Sequence, residues 1–306
     1  MRLCWTSTAA LSIIVLAVAC APATPDTETP PPPPATTPDE PGDAEPPEPP
    51  AEPPDEPEEA DDADEAPEQT LFFGRATDER VWVEPETVPV AGAWEASDVA
   101  TQAMTTLFGA TPADPALFTA VPPDIEVQDV VVDDGVLLVS VDASIMDTSG
   151  SSTQEVAFAN QLAHTAAEID GVEQVRLQVD GATITDLWGH LDWSLPFAPD
   201  PFSLTPIVIR EPAHAAELDA GTIVAAGDAT VFEASFELRL RDADGTVREE
   251  VVVTASAGGP ERGTWTQAFT ITTPGDYVLE ASEIDASGGE GRTPVVVERA
   301  FTIVAR

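Results

Sequence analysis

Between Leu71 and about residue 195, apolar residues recur at two different spacings. Val81-Trp82-Val83 predicts a strand. Val127 to Val132 and Val136 to Val141 predict a hairpin turning at Asp133-Asp134-Gly135, because Asp-Gly readily takes the positive φ that a tight turn needs. Ser97 is placed to cap a helix that runs to Phe108, with Gly109 at its end. Ser152 with Glu155 predicts a capping box at the start of a second helix. Along that helix Val156, Ala159, Leu162, Ala166 and Ile169 form one apolar stripe, until Gly171 stops it. Val172, Val175, Leu177 and Val179 follow as a strand closed by Asp180-Gly181. Strands, helices and an internal hairpin in this order imply an α+β domain with its helices on a mixed or antiparallel sheet.

Beyond Pro196-Phe197-Ala198-Pro199-Asp200-Pro201 the helical period disappears. Phe232, Ala234, Phe236, Leu238 and Leu240 alternate with Glu233, Ser235, Glu237, Arg239 and Arg241, as in a strand with one wet face. Asp242-Ala243-Asp244-Gly245 turns it back. The same period marks Trp265 to Ile271, Tyr277 to Ala281, and Val295, Val297, Phe301 and Ile303. Short alternating strands with Gly, Pro and Asp turns predict an all-β sandwich of about 100 residues.

The first residues follow a third pattern. Arg2 precedes an uncharged stretch from Leu3 to Ala19, the layout of a secretory signal peptide; the rival, a membrane-spanning anchor, needs a longer apolar core. Leu16-Ala17-Val18-Ala19-Cys20 resembles the lipobox of bacterial lipoproteins, with Ala17 in place of the commonest leucine. The resemblance implies that Cys20 is the lipid attachment point and the mature N-terminus. The alternative is a signal peptide cut nearby that releases a soluble protein. Stable anchoring takes two or more acyl chains, at about 0.8 kcal/mol per buried methylene. Only Cys4 and Cys20 are cysteines, so no disulfide is expected in the mature chain.

Residues 21 to 70 are rich in Pro, Glu, Asp, Ala and Thr, a composition that predicts a disordered tether. The expected division is a signal peptide over 1–19, the lipidated cysteine and linker over 20–70, the α+β domain over 71–200 and the sandwich over 201–306.

Charge narrows the partners. The chain has 56 Asp plus Glu against 12 Lys plus Arg, a formal net charge of -44, and every one of those basic residues is arginine. Nucleic acid and anionic lipid surfaces are repelled by such a field, so the only expected membrane contact is the lipid anchor. Adaptation to a salty environment and codon drift in a GC-rich genome both account for the composition, and neither bears on activity.

Val141-Asp142-Ala143-Ser144, Glu168 to Val175, Val179-Asp180-Gly181 and Gly189-His190-Leu191-Asp192 together resemble the GerMN domain, the sporulation and spore germination domain. Ile169 stands where members usually carry an aromatic and Ala143 where an aliphatic is common. Pro206 to Ile209 with Glu211-Pro212, and Gly227 to Ala234, resemble the immunoglobulin-like domain of bacterial spore germination proteins. The two resemblances cover roughly residues 78 to 304. They imply a cell-envelope lipoprotein on the extracytoplasmic face of the membrane, with both domains serving as binding or assembly modules for a cell-wall component or an envelope protein. They supply no catalytic residues and do not require the organism to form spores.

Candidate chemistry is sparse. His164, His190 and His214 are not spaced as metal ligands, so no metal and no cofactor is expected. Trp188, Gly189, His190 and Trp193 form the candidate partner-binding loop, with two aromatic platforms around an imidazole. The structural alternative is that Gly189 makes a tight turn, His190 bonds locally and the tryptophans pack at the domain joint. Glu233 next to Phe232 is a conceivable catalytic acid, but glycoside hydrolysis needs a second carboxylate and a cleft. Asp242-Ala243-Asp244-Gly245 lacks the length and the terminal glutamate of a calcium loop. The expected role is therefore non-enzymatic binding, with a cell-wall hydrolase or its activator as the alternative. A solute-binding lipoprotein is disfavoured because neither domain is large or bilobed enough for a closing cleft.

The anchor has a direct test. Cys20→Ser should leave unprocessed precursor and abolish acyl labelling; equal palmitate labelling of wild type and variant would refute it.

Overall fold

The computed structural model describes residues 68–89, 99–285 and 293–305. The expected signal peptide, Cys20, the tether up to residue 67 and the cap at Ser97 lie outside these residues. The first domain contains strands β1 (Glu68–Ala76) and β2 (Val81–Pro89), helix α1 (Val99–Gly109), strands β3 (Leu117–Phe118), β4 (Val127–Asp133) and β5 (Val136–Val141), helix α2 (Ser152–Ala167), and strands β6 (Gln174–Val179) and β7 (Ala182–Thr183). The second contains β8 (Ile207–Glu211), β9 (Ala216–Asp219), β10 (Gly221–Ala229), β11 (Ser235–Asp242), β12 (Val247–Thr254), β13 (Gly263–Ile271), β14 (Gly275–Glu283) and β15 (Val296–Val304). An α+β domain is thus followed by an all-β sandwich.

In the first domain one sheet runs β4-β5-β6-β7 and another β2-β1-β3. The predicted hairpin forms β4 and β5, and its turn residues Asp134 and Gly135 take φ 47 and 79. Helix α2 is the crossover that makes β5 and β6 parallel. Its apolar face, Phe158, Ala159, Leu162, Ala163 and Ala166, is buried against Leu71, Phe73, Leu137, Val139 and Leu177.

Three expectations change here. The strand β1 begins at Glu68, inside the expected tether; Leu71-Phe72-Phe73 is apolar without alternation because β1 is buried on both sides. Ser151, not Ser152, caps α2, accepting from the Gln154 N–H at 3.2 Å, and Glu155 turns into the protein instead of closing a capping box. Val156 is 44% exposed, because α2 rotates to bury the larger Phe158.

Polar side chains on α2 complete β1. Strand β3 meets β1 only at Gly74 and Arg75. At Phe72 the N–H donates to Thr165 Oγ1 at 3.1 Å and the carbonyl accepts from Gln161 Nε2 at 2.8 Å. Buried backbone groups need such partners where no strand supplies them.

The second domain stacks a five-stranded sheet, β12-β11-β14-β15-β9, on a three-stranded one, β13-β10-β8. Phe236, Leu238 and Leu240 point inward as expected, against Trp265, Phe269, Leu279 and Phe301. Phe232 and Ala234 do not belong to the strand: residues 232–234 form a short turn with left-handed backbone at Glu233 and Ala234, and Phe232 is exposed. On β15 the inward set is Val297, Arg299, Phe301 and Ile303, which places a guanidinium among apolar neighbours.

The proline-rich joint is tied down along its length. Phe197 and Val175 exchange backbone hydrogen bonds at 2.8 and 2.9 Å, extending the sheet beyond β6. Val83 N donates to Ser203 O at 2.8 Å, and its carbonyl accepts from Thr205 N at 3.2 Å. His164, buried on α2, holds its Nε2 3.0 Å from Asp200 O and 2.9 Å from Ser203 Oγ. A carbonyl only accepts, so Nε2 carries the proton. Burial pushes the His164 pKa down to about 4, against the opposing pull of the Asp200 carbonyl.

An unfolded histidine titrates near 6.5, so the unfolded chain binds the extra proton between about pH 6.5 and 4, and this site loses stability as pH falls through that window. The loss reaches at most about 3 kcal/mol. In His164→Gln it should be absent, so the difference in Tm between wild type and variant should shrink from pH 7 to pH 4. A difference independent of pH would refute the assignment.

Candidate functional site

Glu155 organises the candidate loop. Its side chain is fully buried and receives three donors: Trp193 Nε1 at 2.7 Å and Trp188 N at 3.3 Å on Oε1, and His190 N at 3.0 Å on Oε2. The Trp188 indole donates to Thr148 Oγ1 at 2.9 Å and lies over Gly150, where a Cβ would come within 2.3 Å of the ring. Its ring centroid is 6.1 Å from that of Phe158. Trp193 sits 5.7 Å from Phe158 and 4.8 Å from Phe197, with 1% of its surface exposed. Gly189 donates to Asp186 Oδ1 at 2.6 Å, at φ 91.

The four candidate residues are therefore brought together, but they do not make two aromatic platforms. Trp193 is core and has no face to offer a partner; both indoles pack on Phe158 of α2, and Trp193 also packs on Phe197 of the proline-rich joint. His190 and Gly189 remain at the surface beside the half-buried Trp188. Sequence reasoning missed Glu155 as the hub. Its position three residues before Phe158, on the buried side of α2, is the signal that could have found it.

A second buried cluster joins the domains. Arg75 on β1 reaches Glu84 on β2, with Nε donating to Oε2 at 2.5 Å and Nη2 to Oε1 at 3.3 Å. Arg299 on β15 donates from Nη2 to the same Glu84 Oε1 at 2.8 Å and to Ile209 O at 3.1 Å. Asp114 accepts from Arg75 at 3.2 Å and lies 3.5 Å from Arg299 Nη1. Glu86 accepts the N–H groups of Ala113 and Asp114, which fixes the Asp114 carboxylate in place. Burial works to lower the Arg75 pKa, but Glu84 and Asp114 outweigh it and hold the guanidinium above the usual arginine value.

Trp82 belongs to the same joint. It stands on β2 of the first domain, yet its side chain belongs to the second domain's core, the cluster that contains Ile209 and Val297. Arg80 stacks 4.0 Å above its ring and donates to Phe202 O at 2.9 Å. None of these residues was singled out from sequence. Arg75 and Arg299 occupy inward positions of strands, after Leu71 and Phe73 and between Val297 and Phe301, and that phase is their signal.

The first domain also carries an open cleft of about 900 Å³ between the end of α1, residues 119–127 and Gln154. Phe108, Val121, Pro122 and Ile125 line it with Thr105, Thr111, Thr119, Asp124 and Glu126. Glu233, weighed as a catalytic acid, and His190 of the candidate loop lie in different domains. Among the described residues no cluster of His, Cys, Asp or Glu is arranged to hold a metal ion. Among them, too, no helix is long and apolar enough to cross a membrane.

An α+β domain locked to an immunoglobulin-like sandwich defines a two-domain class. Residues 70–185 match the family model for sporulation and spore germination, and residues 206–290 match that for the immunoglobulin-like domain of bacterial spore germination. The chain carries one domain of each kind, in that order. Similar solved structures include the tandem GerMN domains of the sporulation protein GerM from Bacillus subtilis, at 17% identity and TM-score 0.35, covering 44% of this chain and 44% of that one. The chain thus spans less than half the length of that structure. A putative lipoprotein from Clostridium perfringens aligns at 19% identity and TM-score 0.31, over 43% of this chain and 86% of that one. No curated protein matches the chain.

Removing the shared carboxylate tests the joint. Glu84→Leu leaves two buried guanidinium groups short of a partner and should cost about 3–5 kcal/mol. Adding Arg299→Met should return part of that loss. A double-mutant cycle in denaturant with a coupling energy near zero would show that the two residues act independently.

Proposed function

We propose that the chain is a lipid-anchored protein of the extracytoplasmic membrane face, whose two domains act together as a non-enzymatic binding or assembly module for a cell-wall component or an envelope protein. The observation that carries this reading is the joint. Glu84 shared by Arg75 and Arg299, with Trp82 in the neighbouring core, makes two spore-germination-type domains into one body. A body of that kind presents one fixed surface rather than two independently moving ones, which lowers the ordering entropy that binding must overcome. The signal-peptide pattern and Cys20 support export and anchoring, and the acid-rich composition favours partners that are not polyanions.

The chain from Asp61 onward should sediment with isolated envelope material without releasing soluble sugar or peptide from it. Failure of the wild type to sediment would sink the binding reading. Release that disappears in Glu233→Gln or His190→Ala would replace it with a hydrolase.

A further inference from the structure

We propose that one corner of the sandwich, built from Phe232, Val252, Ile284 and Val296, is the docking surface for a protein segment that carries an apolar anchor flanked by lysine or arginine. The inference rests on the reading of the chain as a binding module and names the surface and the chemistry of the partner.

Strand register builds the surface. Val252 on β12, Glu237 on β11, Ser282 on β14 and Val296 on β15 are paired in one row across the outer face of the five-stranded sheet. With strands about 4.8 Å apart, that row spans about 14 Å. Ile284 follows Ser282 on the same side of the chain and shares a hollow with Val296 and Glu237. A second hollow of about 110 Å³ runs between Ile284, Val231 and Phe232. Phe232 is 75% exposed, Val296 47% and Ile284 45%, and the two hollows link them among carboxylates; Val252, 59% exposed, stands at the far end of the row beyond Glu237 and Ser282.

Backbone conformation is an independent sign. Glu233 and Ala234 take φ 55 and 57, a left-handed pair that non-glycine residues adopt at a cost. The turn is held in that state by Gly259 N donating to Val231 O at 2.9 Å and Ala255 N to Ala234 O at 2.8 Å. Gly258 leaves room for it, since a Cβ there would lie 2.8 Å from Ala234 N. The strained turn removes Phe232 from the strand and keeps its ring in solvent.

Charge selects the occupant. The next row across the sheet is Glu250, Arg239, Glu280 and Glu298. Arg239 bonds Glu237, Glu250 and Glu280, and Arg241 pairs with Glu280 and Glu298, so four carboxylates share two guanidiniums. The excess negative charge around Val252 and Val296, with Glu237 in the same row, fits a basic partner and disfavours a second copy of this chain, which would bring the same excess to the contact.

The test places a photoreactive benzoylphenylalanine at position 232 of the full-length chain in intact cells, with position 224 on the opposite sheet as control. Val224 is equally a surface residue, at 54% exposed. The expected product is a protein adduct at 232 and not at 224, whose crosslinked segment carries an apolar residue next to Lys or Arg. Charge reversal by Glu250→Lys with Glu298→Lys should cut its yield about tenfold, a change of about 1.4 kcal/mol. Adducts to glycan or to a second copy, equal yields at 224 and 232, no adduct, or indifference to charge reversal would each overturn the proposal. Phe232→Ser, with unchanged Tm as the folding control, separates the two readings. If it sediments with envelope material as the wild type does, this surface is wrong and the binding module stands.

Discussion

The carboxylate of Glu84 is the constraint on which the arrangement of the two domains depends. It is fully buried and takes donors from Arg75 on its own hairpin and Arg299 on the last strand of the chain. A buried carboxylate without these partners costs several kcal/mol, so the folded state holds β1, β2 and β15 in one geometry. An apolar joint of the same area tolerates sliding. Guanidinium forks shared between two carboxylates do not, because each donor has a fixed direction. Trp82, two residues before Glu84, then fills the second core from the first domain, so packing and ion pairing fix the same orientation.

The same device recurs on a smaller scale wherever backbone leaves regular structure. The segment from Trp188 to Trp193 wraps around Glu155, and the connector from Phe197 to Thr205 is held by Val175, His164 and Val83. Irregular backbone near a core has N–H and carbonyl groups that no strand satisfies, and a buried polar side chain supplies the missing partners. Gln161, His164 and Thr165 come from one side of α2, and Glu155 from the apolar side, in phase with Leu162 and Ala166. That helix therefore serves as a polar template for the loops as well as an apolar cover for the sheet.

Local pattern made much of this legible. Apolar runs on either side of Asp134-Gly135 located β4 and β5, and alternation located β11 and β13, with Asp242 to Gly245 marking the turn after β11, because side-chain period and turn chemistry are properties of adjacent residues. The resemblance to the two spore germination domains rested on the same kind of local signal. The joint was not legible, because Glu84 and Arg299 are 215 residues apart and each is simply a charged residue until its partner is known. Trp193 and Glu155 were misassigned for the related reason that an indole and a carboxylate satisfying each other inside the protein look, one at a time, like surface chemistry. Strand β1 was missed because burial on both sides removes the alternation that identifies a half-buried strand.

Arginine usage connects the interior to the surface. With 12 basic residues against 56 acidic ones and no lysine, each cation in the fold has several carboxylates competing for it. Arg75 and Arg299 are placed at the joint, Arg210 and Arg262 both bond Asp228, Arg239 and Arg241 bridge carboxylates on the five-stranded sheet, and Arg248 pairs with Asp242. A guanidinium can serve two or three acceptors at once, which an ammonium on a flexible stem does less well, so a chain poor in cations gains most from having arginine alone. The consequence appears outside: cations engaged in internal bridges leave the exposed carboxylates in excess. At the surface of the sandwich that excess lies beside Val252 and Val296, where a neutral apolar partner would bury acids at a cost and a basic one would satisfy them.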